Sequence, residues 1–390
     1  MELREFIPRG HRALERARRA DRGALAEALE ASNVVGVVGE AEVGKSALIG
    51  CAMREHTIRP MRIDLYDAAS QAHLSWLIAR ALAGQVLSPT HRSLLAGAPD
   101  LAPSDARGAM LELQRRIGPG LAQLALADTP SLDIPVEQAV RAIGTLADDR
   151  PATLWIDHIE SPSLTTRHPV DSQAFLWGIR ELAQRVPLQV VLSLNTAALK
   201  ETQGSSAAFH QDGTWVTITR PAPITWAAVR DDLNIPLTTP RLNDLCDQLA
   251  NHPPTMLLAF GDLLNEPDLP IEILLSRLAS RDSGHVGLAV QLARSLHRLG
   301  AEVLSRIADG RGPYVDAGIS RPQDLRTALN RLHRAGLVWQ PAPQRWQLTN
   351  PLVAIGLRGT LRQIHADMPQ ASPQYPEGDS NPHVLTDSRF

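Results

Sequence analysis

The chain has 390 residues, 44% of them hydrophobic and 21% charged, with 42 acidic against 39 basic side chains and a net charge of −3. At roughly 100 to 200 residues per domain this describes two or three globular domains, and it excludes a disordered polyelectrolyte or a chain that is basic throughout. Cys51 and Cys246, far apart and in no metal-like spacing, exclude a disulfide scaffold and a cysteine-based zinc site.

The charged N-terminus lacks the apolar core of a signal peptide, and no apolar run approaches the ~18 residues of a membrane span. The expectation is a cytoplasmic protein with no membrane partner. Lys45 and Lys200 are the only two lysines, so nearly every cation is an arginine and a lysine at a demanding position carries weight.

In chain order, the first strong pattern is Asn33-VVGVVG-Glu40, a β-branched run that ends in glycine and is followed by helical spacing from Glu42 onward. Further buried-strand patterns are Met61-RIDLY-Asp67, Ala152-TLWID-His158, Leu188-QVVLSLN-Thr196 and Thr214-WVTIT-Arg220. Helical patterns such as Ser70-QAHLSWLIARALAG and Phe175-LWGIRELAQRV separate most of them. Strands alternating with helices predict an α/β fold with a mainly parallel five-stranded sheet covered on both faces.

Residues 1–222 are thus expected to form the first domain, with a helical insertion at about 85–135 that exceeds what one crossover needs. Residues 223–284 read as a helical segment entered through Pro221, Pro223, Pro236 and Pro240. Residues 285–365 show two helical patterns, Gly287-LAVQLARSLHRL and Asp324-LRTALNRLHRAG, then Leu337-VWQ and Arg345-WQLT, the layout of a winged helix. Residues 366–390, rich in Pro, Ser, Asp and Asn, read as a disordered tail.

The sequence Gly39-Glu40-Ala41-Glu42-Val43-Gly44-Lys45-Ser46 matches the phosphate-binding pattern G-x-x-x-x-G-K-[ST], here between a buried strand and a helix that continues with Ala47. Glycines let successive backbone amides turn toward phosphate oxygens at a helix N-terminus, Lys45 reaches the β and γ phosphates, and the Ser46 hydroxyl ligates magnesium. The pattern therefore predicts ATP or a related nucleotide with Mg2+. The partner carboxylate for magnesium is expected from Asp157, at the end of Leu154-Trp-Ile-Asp157. Glu160 is the candidate for polarising the attacking water. Asn195 or Ser193, at the end of the next strand, is placed to bond a γ-phosphate or that water. Further candidate nucleotide contacts are Arg220, facing a nucleotide of the same or a neighbouring copy in a homo-oligomer, and His252 with Pro254 from the helical segment.

With these pieces in order the chain resembles the AAA+ and STAND ATPases, in which a P-loop core is followed by a helical lid and a winged helix. The resemblance covers about residues 1–362. Gly39 to Ser46 looks like the Walker A motif, Leu154 to Asp157 like Walker B, and Asn195 like the polar sensor after the fourth strand. Asn251-His-Pro-Pro254-Thr-Met-Leu257 is similar to the G-G-x-P-x-x-L turn of STAND proteins with both glycines replaced, and Phe6-Ile-Pro-Arg9-Gly-His-Arg12 stands where a short motif often precedes the core. The resemblance implies an ATP hydrolase that exchanges ATP for ADP as a switch, with ATP holding lid and winged helix against the core. One departure matters: where active members carry a second Walker B acid, this chain has His158, so either Glu160 substitutes or turnover is slow. A non-hydrolysing regulator that keeps nucleotide as a structural ligand is the alternative.

The C-terminal block is locally basic, and Arg321, Arg326, Arg331 and Arg334 lie on or before its second helix, where a recognition helix would meet phosphates and base edges. Solvated arginines on a protein-binding module fit equally, because Leu329, Leu332 and Leu337 share that segment and build a core. Duplex DNA and a protein partner both stand.

Overall fold

A computed structural model describes residues 3–96, 103–159, 172–202, 209, 213–281, 283–313 and 322–357. Two helices, α1 (Leu3–Ala17) and α2 (Arg19–Ala31), lead into β1 (Val34–Val38) and α3 (Lys45–Glu55). There follow β2 (Met61–Asp64), α4 (Gln71–Val86), α5 (Pro103–Ile117), α6 (Pro119–Leu126), α7 (Val136–Asp149), β3 (Ala152–Asp157), α8 (Ser172–Ala183), β4 (Leu188–Leu194), α9 (Thr196–Thr202) and β5 (Thr214–Thr217). The strands form one parallel sheet in the order β2-β3-β4-β1-β5. The five expected strands and the α/β P-loop fold are therefore present, with every pairing parallel.

Burial on both faces explains why the central strands β1, β3 and β4 read as nearly unbroken apolar runs, while the edge strands β2 and β5 expose residues such as Arg62 and Thr217. Val35 and Val37 of β1 pack with Leu25, Leu48 and Ile49 from α2 and α3. Their neighbours Val34 and Val38 turn to the opposite core, shared with α4 to α8 through Leu74, Ile78, Leu121 and Ile179. Helices α5 and α6, from the stretch 85–135, join that same core through Leu113, Leu121 and Leu124.

Beyond the sheet come α10 (Pro223–Asp232), α11 (Thr239–Gln248), α12 (Pro253–Asn265) and α13 (Ile271–Arg281). Their core holds Trp226 and Phe260 edge to face at 5.8 Å, and it also takes in Phe6, Ala13 and Leu14 of α1. The chain thus starts among the helices that follow the sheet, an arrangement with no sequence signal. Pro8 inside α1 is also a residue that ordinarily argues against a helix.

The last block contains α14 (Ser283–Leu296), α15 (Gly300–Ala308), α16 (Pro322–Arg334) and an antiparallel pair, β6 (Val338–Ala342) with β7 (Arg345–Leu348). The sequence showed two of these three helices. The nine-residue α15 lacks a side-chain cap, and only its apolar face, Val303, Leu304 and Ile307, ties it to Leu329 and Leu332 of α16. The expected disordered tail, 366–390, lies outside the described residues. No helix among the described residues is long and apolar enough to cross a membrane.

Phe6→Ala tests the tie between α1 and the later helices. Deleting a side chain that is 1% exposed is expected to cost about 3 kcal/mol or more in chemical denaturation, and an unchanged midpoint would contradict the packing.

Candidate nucleotide site

The loop from Gly39 to Ser46 leaves the carboxyl end of β1 and enters α3, whose first residue is Lys45. Two glycines are dictated by geometry. A Cβ at Gly39 would stand 2.3 Å from the Ile218 carbonyl oxygen, and Gly44 caps α3 in the left-handed region at φ +91°. Glu42 also sits at φ +61°, the strained apex of the loop. Val43 is buried, and its carbonyl accepts a 2.5 Å hydrogen bond from Arg18 Nη1. Arg18, itself buried, donates also to Thr219 O at 2.7 Å and to Asp21 at 2.7 Å, so one guanidinium fastens α2, the loop and the end of β5 together. Its partners lie 25 and 201 residues away, and nothing in the sequence signals them.

Lys45 is 6% exposed, with its ammonium donating to the carbonyls of Gly39 and Glu40 at 2.8 Å each. Ser46 donates to Asp157 Oδ2 at 2.9 Å. Asp157, fully buried at the end of β3, also accepts from Arg62 Nη2 at 2.8 Å, whereas its Oδ1 is buried with no hydrogen-bond partner. Ala47 is exposed on the first turn of α3. These residues fit a nucleotide polyphosphate and its magnesium ion. The loop can present amides, an ammonium held by two weak carbonyl acceptors is ready to move to phosphate, and a hydroxyl already rests on a carboxylate that keeps one oxygen unsatisfied.

The other candidates fall around this edge in unequal ways. Asn195 is buried and gives both amide hydrogens to α16, at His333 O (3.2 Å) and Arg334 O (3.0 Å), while its Oδ1 accepts from Ala198 N at 2.9 Å. Ser193 is buried with an unpartnered hydroxyl. His252 is buried, its Nε2 lying 2.6 Å from Glu42 Oε2 and its Nδ1 2.6 Å from Thr255 Oγ1, so the lid touches the loop apex directly. Pro254 is exposed in the first turn of α12.

Arg220, a candidate nucleotide contact, is engaged by the later helices and the C-terminal block. Its guanidinium donates to Ala250 O (3.0 Å) in the lid and Thr349 O (2.7 Å) in the C-terminal block, and lies 4.4 Å over the Trp339 ring. Burial lowers its pKa to about 10 against the opposing pull of Glu40 and Glu42. Glu160 and Arg321 lie outside the described residues. Arg326 is exposed on α16; Arg331 spends its Nη1 on Leu296 O at 2.6 Å; Arg334 is half-buried at the end of the helix.

Four residues the sequence reasoning did not assign to the site complete the edge. Asp64 ends β2 in register with Asp157, and its Oδ1 lies 2.8 Å from His158 Nδ1. Thr196 and His333 share Glu40: Thr196 Oγ1 hydrogen-bonds Oε1, and His333 Nε2 is 3.2 Å from Oε2. Gly336 stands so close that a Cβ there would be 2.7 Å from the Ala41 methyl. Burial works to raise the Glu40 carboxyl, but hydrogen bonds from His333 and Thr196, with the charges of His333 and Lys45, outweigh it and leave the pKa lowered from 4.5.

No protein-family model matches the sequence, and no curated protein matches it. A Walker-type ATPase of Pyrococcus abyssi is similar in structure, with a TM-score of 0.62 at 15% identity over 87% of this chain and 95% of that one. The Orc1 protein of Aeropyrum pernix, solved in complex with DNA, gives 0.43 at 13% identity over 90% and 94%. Cdc6p from Pyrobaculum aerophilum gives 0.39 at 11% identity over 85% and 88%. The first likeness extends the fold of a Walker-type ATPase across most of the chain.

Because the folded-state pKa of Glu40 is depressed, its contact is fully present above about 4.5 and is lost as pH falls through the lower folded value. Glu40→Gln is expected to cost about 1 to 2 kcal/mol at pH 7, with the gap to wild type held down to about pH 4.5 and closing as the pH falls below that through the lower folded value. A gap that does not change over that range would contradict the charged contact.

Proposed function

We propose that this chain binds ATP with Mg2+ at Gly39 to Ser46 and works as an AAA+/STAND-type switch, hydrolysing ATP slowly and acting on a protein or DNA partner through its C-terminal block. The observation that carries the nucleotide site is the Ser46–Asp157 hydrogen bond, 2.9 Å across 111 residues of sequence. It joins the two ends of a phosphate-and-magnesium pattern beside a buried lysine. Bound MgATP would supply phosphate oxygens, a scissile anhydride and the cation that neutralises their charge. The protein's own part is to swing Lys45 from the Gly39 and Glu40 carbonyls to phosphate, to turn Ser46 from Asp157 to the ion, and to fix the loop amides through Arg18. Glu160 remains the candidate water-activating residue. The alternative of a chain that holds nucleotide without turnover is favoured by one contact, the engagement of His158 with Asp64 where a second acid would stand.

The switch is supported by what touches the loop. Glu40, Ala41 and Asn195 all contact residues 333–336 of the C-terminal block. The sign expected from the resemblance is reversed in this reading. Asn195 has two amide hydrogens and α16 takes both, so a γ-phosphate that recruits Asn195 does so at the expense of α16. Triphosphate then frees the block and diphosphate lets it return. The docked arrangement also places the C-terminal turn of α16 against the core, which favours a protein partner over DNA; Arg326, Arg331 and Arg334 would reach a duplex together only after release.

Lys45→Ala is expected to reduce ATP affinity at least ~100-fold by calorimetry while the fold survives, and to abolish hydrolysis measured over single and multiple turnovers. Retention of wild-type ATP affinity in this variant would overturn the assignment. Tight binding with no turnover by wild type under any condition would select the non-hydrolysing alternative.

A further inference from the structure

Asp64, Asp157 and His158 gather at the carboxyl end of the sheet because β2 and β3 run parallel in a register that sets Asp64 beside Asp157. His158, the next residue, takes φ +54°, and its ring lies against the strand ends and across the edge of Tyr66 at 5.8 Å. One ligand atom from each residue lies within 4.8 Å of the other two. The oxygens divide into two sets. Both Oδ2 atoms face Arg62, at 3.4 Å from Asp64 and 2.8 Å from Asp157, and Ser46 shares the latter. Both Oδ1 atoms face His158 Nδ1, at 2.8 and 3.9 Å.

The Asp157 Oδ1 is the telling atom. Its residue is 0% exposed, and the oxygen has no hydrogen-bond partner, a state that costs free energy unless something satisfies it. A cation bound at ~2.0 to 2.2 Å by nitrogen and oxygen holds neighbouring ligands about 3 to 3.5 Å apart. The two distances to His158 Nδ1 bracket that spacing.

We propose that Asp64 Oδ1, Asp157 Oδ1 and His158 Nδ1 form a binding site for a divalent transition-metal ion of the Mn2+, Co2+ or Zn2+ kind. The imidazole decides the class, since Mg2+ takes oxygen ligands and an imidazole with two carboxylates suits the later first-row ions. The site uses neither Ser46 nor the phosphate loop, and it takes the Asp157 oxygen opposite the one that faces Ser46. It shares Asp157 with the nucleotide reading and competes with Mg2+ for that carboxylate, but it needs no atom of the phosphate loop, so it is testable without nucleotide. Arg62 stays on the outer oxygens, where it offsets part of the charge of two adjacent carboxylates.

The test is Co2+ titration of nucleotide-free, tag-free full chain, followed by visible d–d absorption and calorimetry. The expected result is one equivalent bound with a spectrum of mixed nitrogen and oxygen ligation. His158→Asn keeps a residue that tolerates left-handed backbone, and Asp64→Asn keeps shape; each is expected to weaken binding at least ~10-fold, the loss that even an outer partner of a metal site brings. Lys45→Ala should bind Co2+ as wild type does while losing ATP, so a failed nucleotide site and a failed metal site give different results. No stoichiometric Co2+ or Zn2+ binding by wild type, or binding indifferent to both His158→Asn and Asp64→Asn, would overturn the proposal.

Discussion

The turn that ends β1 constrains everything around it. The chain must leave a strand buried on both faces and reverse into α3 without room for a side chain at Gly39 and with left-handed backbone at Gly44. The loop is tied from within by Lys45 on the Gly39 and Glu40 carbonyls and braced from outside by the Arg18 guanidinium, which grips Val43 O and Thr219 O at once. That brace makes the loop a fixed frame instead of a flexible connector, so that Lys45 and Ser46 start close to where an anion and its cation would need them. The brace comes from the junction of α1 and α2, where Arg18 stands at the N-terminus of α2.

The same edge is where three packing units meet. Glu42 reaches His252 of the lid, Glu40 reaches His333 of the C-terminal block, and Arg220 bonds to both units from the end of β5. These links are polar and partly buried, so they depend on geometry more than on apolar area. A change of charge at the loop therefore changes the partners of residues that hold the other two units.

Much of this was legible in the sequence, and the reason is local. Short apolar and β-branched runs marked the five strands, and the G-x-x-x-x-G-K-S spacing marked the loop, because both depend on residues adjacent in the chain. Asp157 followed from its place at a strand end. What stayed hidden depends on contacts across tens or hundreds of residues: α1 docking beside Phe260, Arg18 holding the loop, and Asn195 bonded to α16. Arg220 illustrates the limit. A strand-end arginine is ordinarily solvated, and only the fold reveals Trp339 and two carbonyls closing over it. Asp64 was hidden in another way: the run Met61-RIDLY-Asp67 read as extended past Asp64, whereas the strand stops there and the chain turns.

The central claim is that a triphosphate bound at the loop and residues 333–336 compete for Asn195. Hydrogen–deuterium exchange of the full chain, alone, with MgADP and with a magnesium-bound non-hydrolysable ATP analogue, tests it most directly at the peptides spanning α16 and β6. The account predicts that the triphosphate raises exchange there, that MgADP does not, and that Lys45→Ala abolishes the difference. Exchange in α16 and β6 that stays the same or falls when the triphosphate analogue saturates the loop would contradict it.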